Sequence, residues 1–224
     1  MTTDTAPAKS HNRRDIQRER TREAILEAAI AVFAERGFEG AALPAIAKAS
    51  GARGTLILYH FGSKEDLWKA CVDEVFAQVN AFIDARVERI EAAEGMDYFR
   101  EAVAAHIGAA ASVPAYQRIL FREAMQHGER LRWLVDTHQR PMSERIVPVI
   151  ERAQEAGILP SHLDPMHLKF LTSGLFTLPI TLAPEYHLMT GTDPLAEAFV
   201  ADHIEACLEL LLGANGSGVA TGNG

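Results

Sequence analysis

Residues 42–67 read ALPAIAKASGARGTLILYHFGSKEDL, and the reading of this stretch decides the architecture. Pro44 suits the first turn of a helix, where its missing N–H would have no partner in any case, and Ile46 and Ala47 give the segment from Pro44 to Ser50 an inward face. Gly51 permits the positive φ that a sharp turn between helices requires. A second short helix is expected over about Gly54 to His60, after which Ser63-Lys64-Glu65-Asp66 opens a longer one with the sequence of a capping box, running to about Glu91. Upstream, Ile25, Leu26, Ala29, Ile30 and Phe33 recur at three- and four-residue intervals until Gly37, the signature of an amphipathic helix. Two short helices joined by a glycine turn and braced by a longer one have the layout of a helix-turn-helix.

Within this unit Ile57 and Phe61, four residues apart, are expected to face a small core with Ile46 and Phe33. That leaves Arg53, Gly54, Thr55, Leu58, Tyr59 and His60 on or beside a face that would enter the major groove. Arg53 has the donors for a guanine edge or a phosphate, Gly54 permits close backbone approach, and Thr55 offers a hydroxyl to phosphate or a methyl to thymine. Lys64 stands at a helix start, where exposed backbone N–H groups also attract phosphate oxygens. One such module makes few contacts, so useful affinity needs two, held about one turn of DNA apart (roughly 34–36 Å) on a near-palindromic site.

The pattern Ile46-Ala47-x-Ala49-Ser50-Gly51, then Tyr59-His60-Phe61, then Ser63-Lys64-Glu65-x-Leu67 resembles the signature of the tetracycline-repressor (TetR) family. The stretch from Ala28 to Phe33 with Arg36-Gly37-Phe38 is similar to the end of that family's first helix, so the specific likeness spans about Thr21 to Leu67. It implies that Tyr59, His60 and Lys64 form a phosphate clamp. It further implies a homodimer on double-stranded operator DNA, released when a small molecule binds a helical C-terminal domain and the fourth helix passes the change to the head. A regulator with no effector, or an activator, would have the same head. Two positions depart from the family pattern: Leu58 stands where Tyr is common, and Ala42 offers no side-chain acceptor where Thr or Ser often caps the second helix.

The rest of the chain reads as helix, giving an all-α expectation: a basic, disordered arm over 1–17, a DNA-binding domain over 18–64, a helical effector-binding and dimerisation domain over 65–212, and a disordered tail over 213–224, GANGSGVATGNG. Breaks are expected at Gly95, Pro114, Gly128 and Gly157, with Pro141 and Pro148 bending or splitting the helix that contains them. Asp164-Pro165 and Asp193-Pro194 each place an acceptor at a cap and proline just inside a helix. The two helices so opened carry the stripes Leu168, Leu171, Leu175, Leu178 and Ile204, Leu208, Leu211, assigned to a dimer interface because Met166, Phe170, Phe176 and Ile180 add a second apolar face to the first of them.

The chain has 224 residues and a net charge of −8, yet Met1 to Lys64 holds ten Lys/Arg against seven Asp/Glu, so the first part is basic and the remainder strongly acidic. Lys9, Arg13, Arg14, Arg18, Arg20 and Arg22, against only Asp15 and Glu19, form the cationic footprint expected near phosphates. Cys71 and Cys207 lie in apolar helical patterns away from metal-ligand spacing, and neither a metal nor a cofactor is expected. A signal peptide, a membrane span and catalytic motifs such as GxSxG or HExxH are not found, which predicts a cytoplasmic protein that is not an enzyme. For an effector, the aromatic and sulfur-bearing residues Phe121, Met125, Trp133, Phe170 and Phe176 are the candidates, with Phe99 and Tyr116 beside them and His106, His127 and His138 as polar partners. Trp133 is favoured because Arg130 and Arg132 flank it.

Overall fold

A computed structural model describes residues 8–216. Among them are twelve α-helices and no strand: α1 (Ala8–Gly40), α2 (Leu43–Ser50), α3 (Gly54–Phe61), α4 (Lys64–Asp84), α5 (Val87–Ala92), α6 (Gly95–Ser112), α7 (Pro114–Ala124), α8 (Glu129–Leu134), α9 (Arg140–Glu155), α10 (Pro165–Thr181), α11 (Ala183–Thr190) and α12 (Glu197–Gly216). A π-helical turn, Val135–Gln139, joins α8 to α9.

The chain builds two main cores. In the first, Ile25, Ala29 and Phe33 of α1, Ile46 of α2, Ile57 and Phe61 of α3 and Leu67, Trp68, Val72 and Phe76 of α4 are buried together, and Ile119 and Leu134 close it from the following helices. In the second, Phe99, Val103 and Ile107 of α6 pack with Ile150 of α9, Phe176 and Ile180 of α10 and Leu208 of α12. Helix α4 is common to both halves, lying against α1, α3, α5, α6 and α7. At its crossing with α6 the fit is close: a Cβ on Gly108 would lie 2.9 Å from Cζ of Phe82, so any side chain there must displace that ring.

Several expectations are corrected. The basic arm is helical from Ala8, because nothing between Pro7 and Gly37 breaks the run and its Arg, Glu, Gln and Ala residues favour helix; Met1 to Pro7 lie outside the described residues. Helix α1 kinks only at Gly37 (φ 69°). Helix α4 stops at Asp84 rather than near Glu91: Arg86 folds back to donate to the Phe82 carbonyl (2.8 Å) and stacks on the Phe82 ring, holding the helix's open C-terminal end. The chain does not break at Pro148, which α9 accommodates; the irregularity falls upstream at the π turn, and Pro141 sits in the first turn of the restarted helix.

Asp164 caps α10 by accepting from the N–H of His167 (2.9 Å). Asp193 does not cap α12: its carboxylate accepts from Leu195 N–H (3.0 Å) within a turn, and the helix begins at Glu197. Helix α12 continues to Gly216, through the first four residues of the expected tail; 217–224 lie outside the described residues. Helix α11 was not anticipated, Pro184 in its first turn being its main local signal.

The leucine stripes are also corrected. Leu168 and Leu208 are buried inside the second core and so face no partner, while Leu175, Ile204 and Leu211 are half-buried against it. Leu171 and Leu178 are exposed, and with Phe170 and Leu182 they leave an apolar strip along α10, with Leu210 of α12 also exposed.

Trp68 is the largest fully buried side chain, edge-on to Phe38 and packed on Trp133. Trp68→Ala is expected to cost about 3–5 kcal/mol, as deletion of a buried indole typically does, measured by urea unfolding at fixed protein concentration.

Candidate nucleic-acid interface and ligand cavity

Gly51 ends α2 in the left-handed conformation (φ 68°, ψ 5°), turning the chain sharply toward α3. The Ser50 hydroxyl reinforces the turn by donating to the Ala47 carbonyl and accepting from Ala52 N–H, both at 3.3 Å. Ala42 caps α2 with no side-chain bond, and proline in the first turn stands in for it. Ile57 and Phe61 point into the core, which turns Arg53, Gly54, Thr55, Leu58 and Tyr59 outward. Arg53 is the residue before the first turn of α3, with extended backbone (ψ 140°) and no side-chain cap, so the first N–H groups of α3 are open. A Cβ on Gly54 would meet nothing within 4 Å, leaving that end clear for a docking surface.

The N-terminal cations converge on the same region. A cleft of about 570 Å³ is bounded by Gln17, Arg20 and Thr21 of α1 and by Arg53 and Thr55. The guanidinium of Arg18 lies 5.8 Å from the ring of Tyr59, itself 67% exposed, and that of Arg22 lies 5.1 Å from Phe61. His60 packs edge-on to Tyr59. Desolvation, then the charges of Arg18 and Arg22, push its pKa below the ordinary histidine value, with Glu19 opposing them. Arg18, Arg20 and Arg22, which in sequence form a cationic footprint expected near phosphates, lie beside α3 and the turn that precedes it.

Ser63 caps α4 by accepting from Asp66 N–H (3.0 Å), and its hydroxyl donates to the Asp66 carboxylate (2.6 Å). This differs from the expected reciprocal box, because Ser63 N–H is spent on the Phe61 carbonyl. Lys64, half-buried in the first turn, carries its ammonium 4.5 Å above the ring of Phe38, which also receives the Arg130 guanidinium at 3.9 Å. Arg122 of α7 fixes the same end of α1, donating to the carbonyls of Ala34 (3.2 Å) and Glu35 (2.7 Å). Arg130 bridges Glu39 and the nearly buried Glu123, each at 3.3 Å.

A cavity of about 520 Å³ lies between α4, α5, α6, α9 and α10. Val79 and Ile83 of α4 form one wall, Phe99 and Val103 of α6 another, and Ile150 and Phe176 close it. Its polar lining includes His106, Gln117, Thr172 and Ser173. Of the five effector candidates only Phe176 lines it. Trp133 belongs to the first core, packed on Trp68 and His138 with Lys69 above it; Phe121 and Met125 are exposed on and just after α7, Met125 at 72%; Phe170 is 69% exposed on the outer face of α10. Aromatic content alone does not separate these faces, since each residue follows a helical period that fits core, cavity or surface. Phe99, Tyr116 and His106 do line the cavity, whereas His138 pairs with Asp73 (2.8 Å) beside Phe76.

His106 packs edge-on against Phe176, and burial, aided by the charge of Lys169, pushes its pKa down to about 4. An unfolded histidine titrates near 6.5, so on acidification the unfolded chain takes up a proton before the folded one. The contribution of neutral His106 is therefore whole above about pH 6.5 and drains away as pH falls toward 4, at up to about 1.4 kcal/mol per pH unit. His106→Gln should flatten the stability profile in that window, followed by denaturant titration at a series of pH values.

Comparison with known proteins agrees with this geometry. Residues 25–71 match the family described as bacterial regulatory proteins, tetR family, and residues 96–211 match the tetracyclin repressor-like C-terminal domain. The chain is 29% identical over 163 residues to the HTH-type transcriptional repressor NicS of Pseudomonas putida, covering 71% of this chain and 75% of that protein. It is 49% identical over 57 residues to the regulatory protein RaaS of Mycobacterium tuberculosis, covering 25% of this chain and 26% of that one. Among solved structures, a TetR-family regulator from Streptomyces coelicolor superposes with a TM-score of 0.65 at 18% identity, covering 84% of this chain and 89% of that one. FadR from Bacillus subtilis, in complex with stearoyl-CoA, superposes at 0.58 with 21% identity, covering 85% and 97%.

Proposed function

Because this chain belongs to the TetR family of transcriptional regulators, we propose that it is a homodimeric repressor that holds a near-palindromic operator through α3 and releases it when a small, mostly apolar molecule occupies the cavity. In this reading the DNA-binding head is 18–64, joined by the helical extension of α1 back to Ala8, and the ligand-binding and dimerising body is 65–212. The observation that carries it is that one helix reaches both sites: α4 begins with Lys64 beside α3 and lines the cavity with Val79 and Ile83. A ligand that favours one tilt of this helix shifts the spacing of two heads, and a coupling of about 1–3 kcal/mol changes operator affinity about 5–150-fold.

Arg53, Gly54, Thr55, Leu58, Tyr59 and His60 form the reading surface, and Lys64 with Tyr59 and His60 the phosphate clamp. The cavity favours ligand control over a regulator without effector, because a body serving only to dimerise has no use for a void of about 520 Å³. FadR of Bacillus subtilis, a fold neighbour, has been solved with stearoyl-CoA, which supports an apolar ligand for this fold. The partner subunit is assigned to the exposed strip of Phe170, Leu171 and Leu178 on α10 with Leu210 on α12.

Lys64→Ala is expected to weaken binding to all duplexes alike and to reduce the slope of log K against log salt by about one per site, whereas Arg53→Ala or Thr55→Ala should change which sequences are selected. Selection of bound sites from random DNA, followed by titrations at several salt concentrations, checks both; unchanged titrations for all three would refute the assignment. Leu171→Glu with Leu178→Glu should give a helical monomer with operator affinity lowered at least tenfold, by sedimentation and DNA titration.

A further inference from the structure

Along the inner stripe of α10, Lys169, Thr172, Ser173 and Phe176 stand at i, i+3, i+4 and i+7, the spacing that places side chains on one face. The last three line the cavity. Lys169 stands one turn before them and is 8% exposed. Its ammonium donates to the Ser143 hydroxyl (2.7 Å), whose own proton goes to the Gln139 carbonyl (2.6 Å), and the Phe170 ring lies 5.0 Å away. Among the described residues no carboxylate forms an ion pair with it. The charged residues that line the cavity, Glu91, Glu144, Arg145 and Arg152, are exposed at its rim.

A buried ammonium with a single neutral partner is costly, and the usual remedies are a counter-ion or loss of the proton. Desolvation does lower the Lys169 pKa, and the charge of the lysine in turn helps depress that of His106, which lines the cavity. Two neighbouring polar groups can donate as well. The Ser173 hydroxyl has no partner among the described residues, and neutral His106 carries one ring N–H. Thr172 spends its own proton on the Leu168 carbonyl (2.8 Å). The polar end of an otherwise apolar cavity thus offers the Ser173 hydroxyl and the His106 ring as donors, with the Lys169 cation one helical turn behind them, and among the described residues its lining holds no buried carboxylate to balance that charge.

We propose that the cavity takes an amphipathic acid, whose carboxylate-class anion is bound by Lys169, Ser173 and His106 while its apolar body lies between α4, α6 and α9. This deepens the ligand-controlled reading and rests on it. Lys169 is the specificity-determining residue: its four-carbon stem gives it the reach to turn from Ser143 to an entering anion, and the ion pair supplies the counter-charge that the protein itself omits.

The test uses the full chain with octanoate and 4-phenylbutyrate, the primary amide of each and the matching primary amines, measuring affinity by calorimetry and release of the selected operator. Wild type is expected to bind each acid at least tenfold more tightly than its amide, with the amine weakest. Lys169→Met, which removes the charge and keeps the volume, should bring the acid-to-amide ratio close to one and leave amide affinity within about threefold. Ser173→Ala should narrow the ratio severalfold without abolishing it. The proposal is overturned if amides bind wild type as well as acids do, or if the methionine variant keeps the acid preference. It also fails if that variant changes only the monomer–dimer equilibrium, which would place the missing counter-charge on a second copy. Amides that bind and release DNA as well as acids leave ligand control standing without an anion site; absence of binding and release by all six probes removes ligand control itself.

Discussion

Everything in this molecule depends on α4 being one unbroken rod that is built into the first core and also lies against α6 of the second. Its buried stripe, Leu67, Trp68, Cys71, Val72, Val75, Phe76 and Val79, is continuous along the helix, and its 21 residues span roughly 30 Å. Both ends are held: the Ser63 hydroxyl accepts from Asp66 N–H in the first turn, and Arg86 returns to the Phe82 carbonyl in the last. A helix packed along its length and secured at both termini responds to a push as a lever, with little capacity to absorb the movement by fraying. The cavity wall at Val79 and Ile83 and the cation at Lys64 therefore belong to the same mechanical part.

A second connection runs beside it. Arg122 and Arg130 reach from α7 and α8 to the carbonyls and carboxylate at the end of α1, and Phe38 lies beneath both Arg130 and Lys64. The head is thus joined to the body by charge-assisted hydrogen bonds and cation–π contacts in addition to apolar packing. These are directional and range-limited, so they define a docking geometry that hydrophobic burial alone leaves loose. The Arg130–Glu123 pair is the more constrained because Glu123 is nearly buried, where losing one partner strands the other charge.

The recognition head was legible in the sequence because its determinants are local. Gly51, Ile46, Ile57, Phe61 and Ser63 act within a few residues of one another, and spacing alone assigns their directions. The cavity was not legible for the opposite reason: Val79, Phe99, Ile150 and Phe176 meet only after four helices have packed, and in sequence Phe176 is indistinguishable from Phe170, which faces outward. Residue type also misled at Asp193-Pro194, where the same dipeptide that opens α10 forms a turn, because Leu195 N–H captures the carboxylate before a helix starts. In the leucine stripes, period showed that one face is apolar; burial of Leu168 and Leu208 showed that part of it is consumed inside the protomer.

At the crossing of α4 and α6, the bare backbone of Gly108 lies against the ring of Phe82, and the Arg86 guanidinium lies 3.5 Å from the centroid of the same ring near the end of α4. A single methyl group there would act as a wedge beneath the lever, far from any base or bound molecule. Under the proposed ligand-controlled reading, such a position would work as a set-point: it would bias the balance between gripping and released forms before a ligand arrives, so that sensitivity could drift by population shift while operator and effector chemistry stay unchanged.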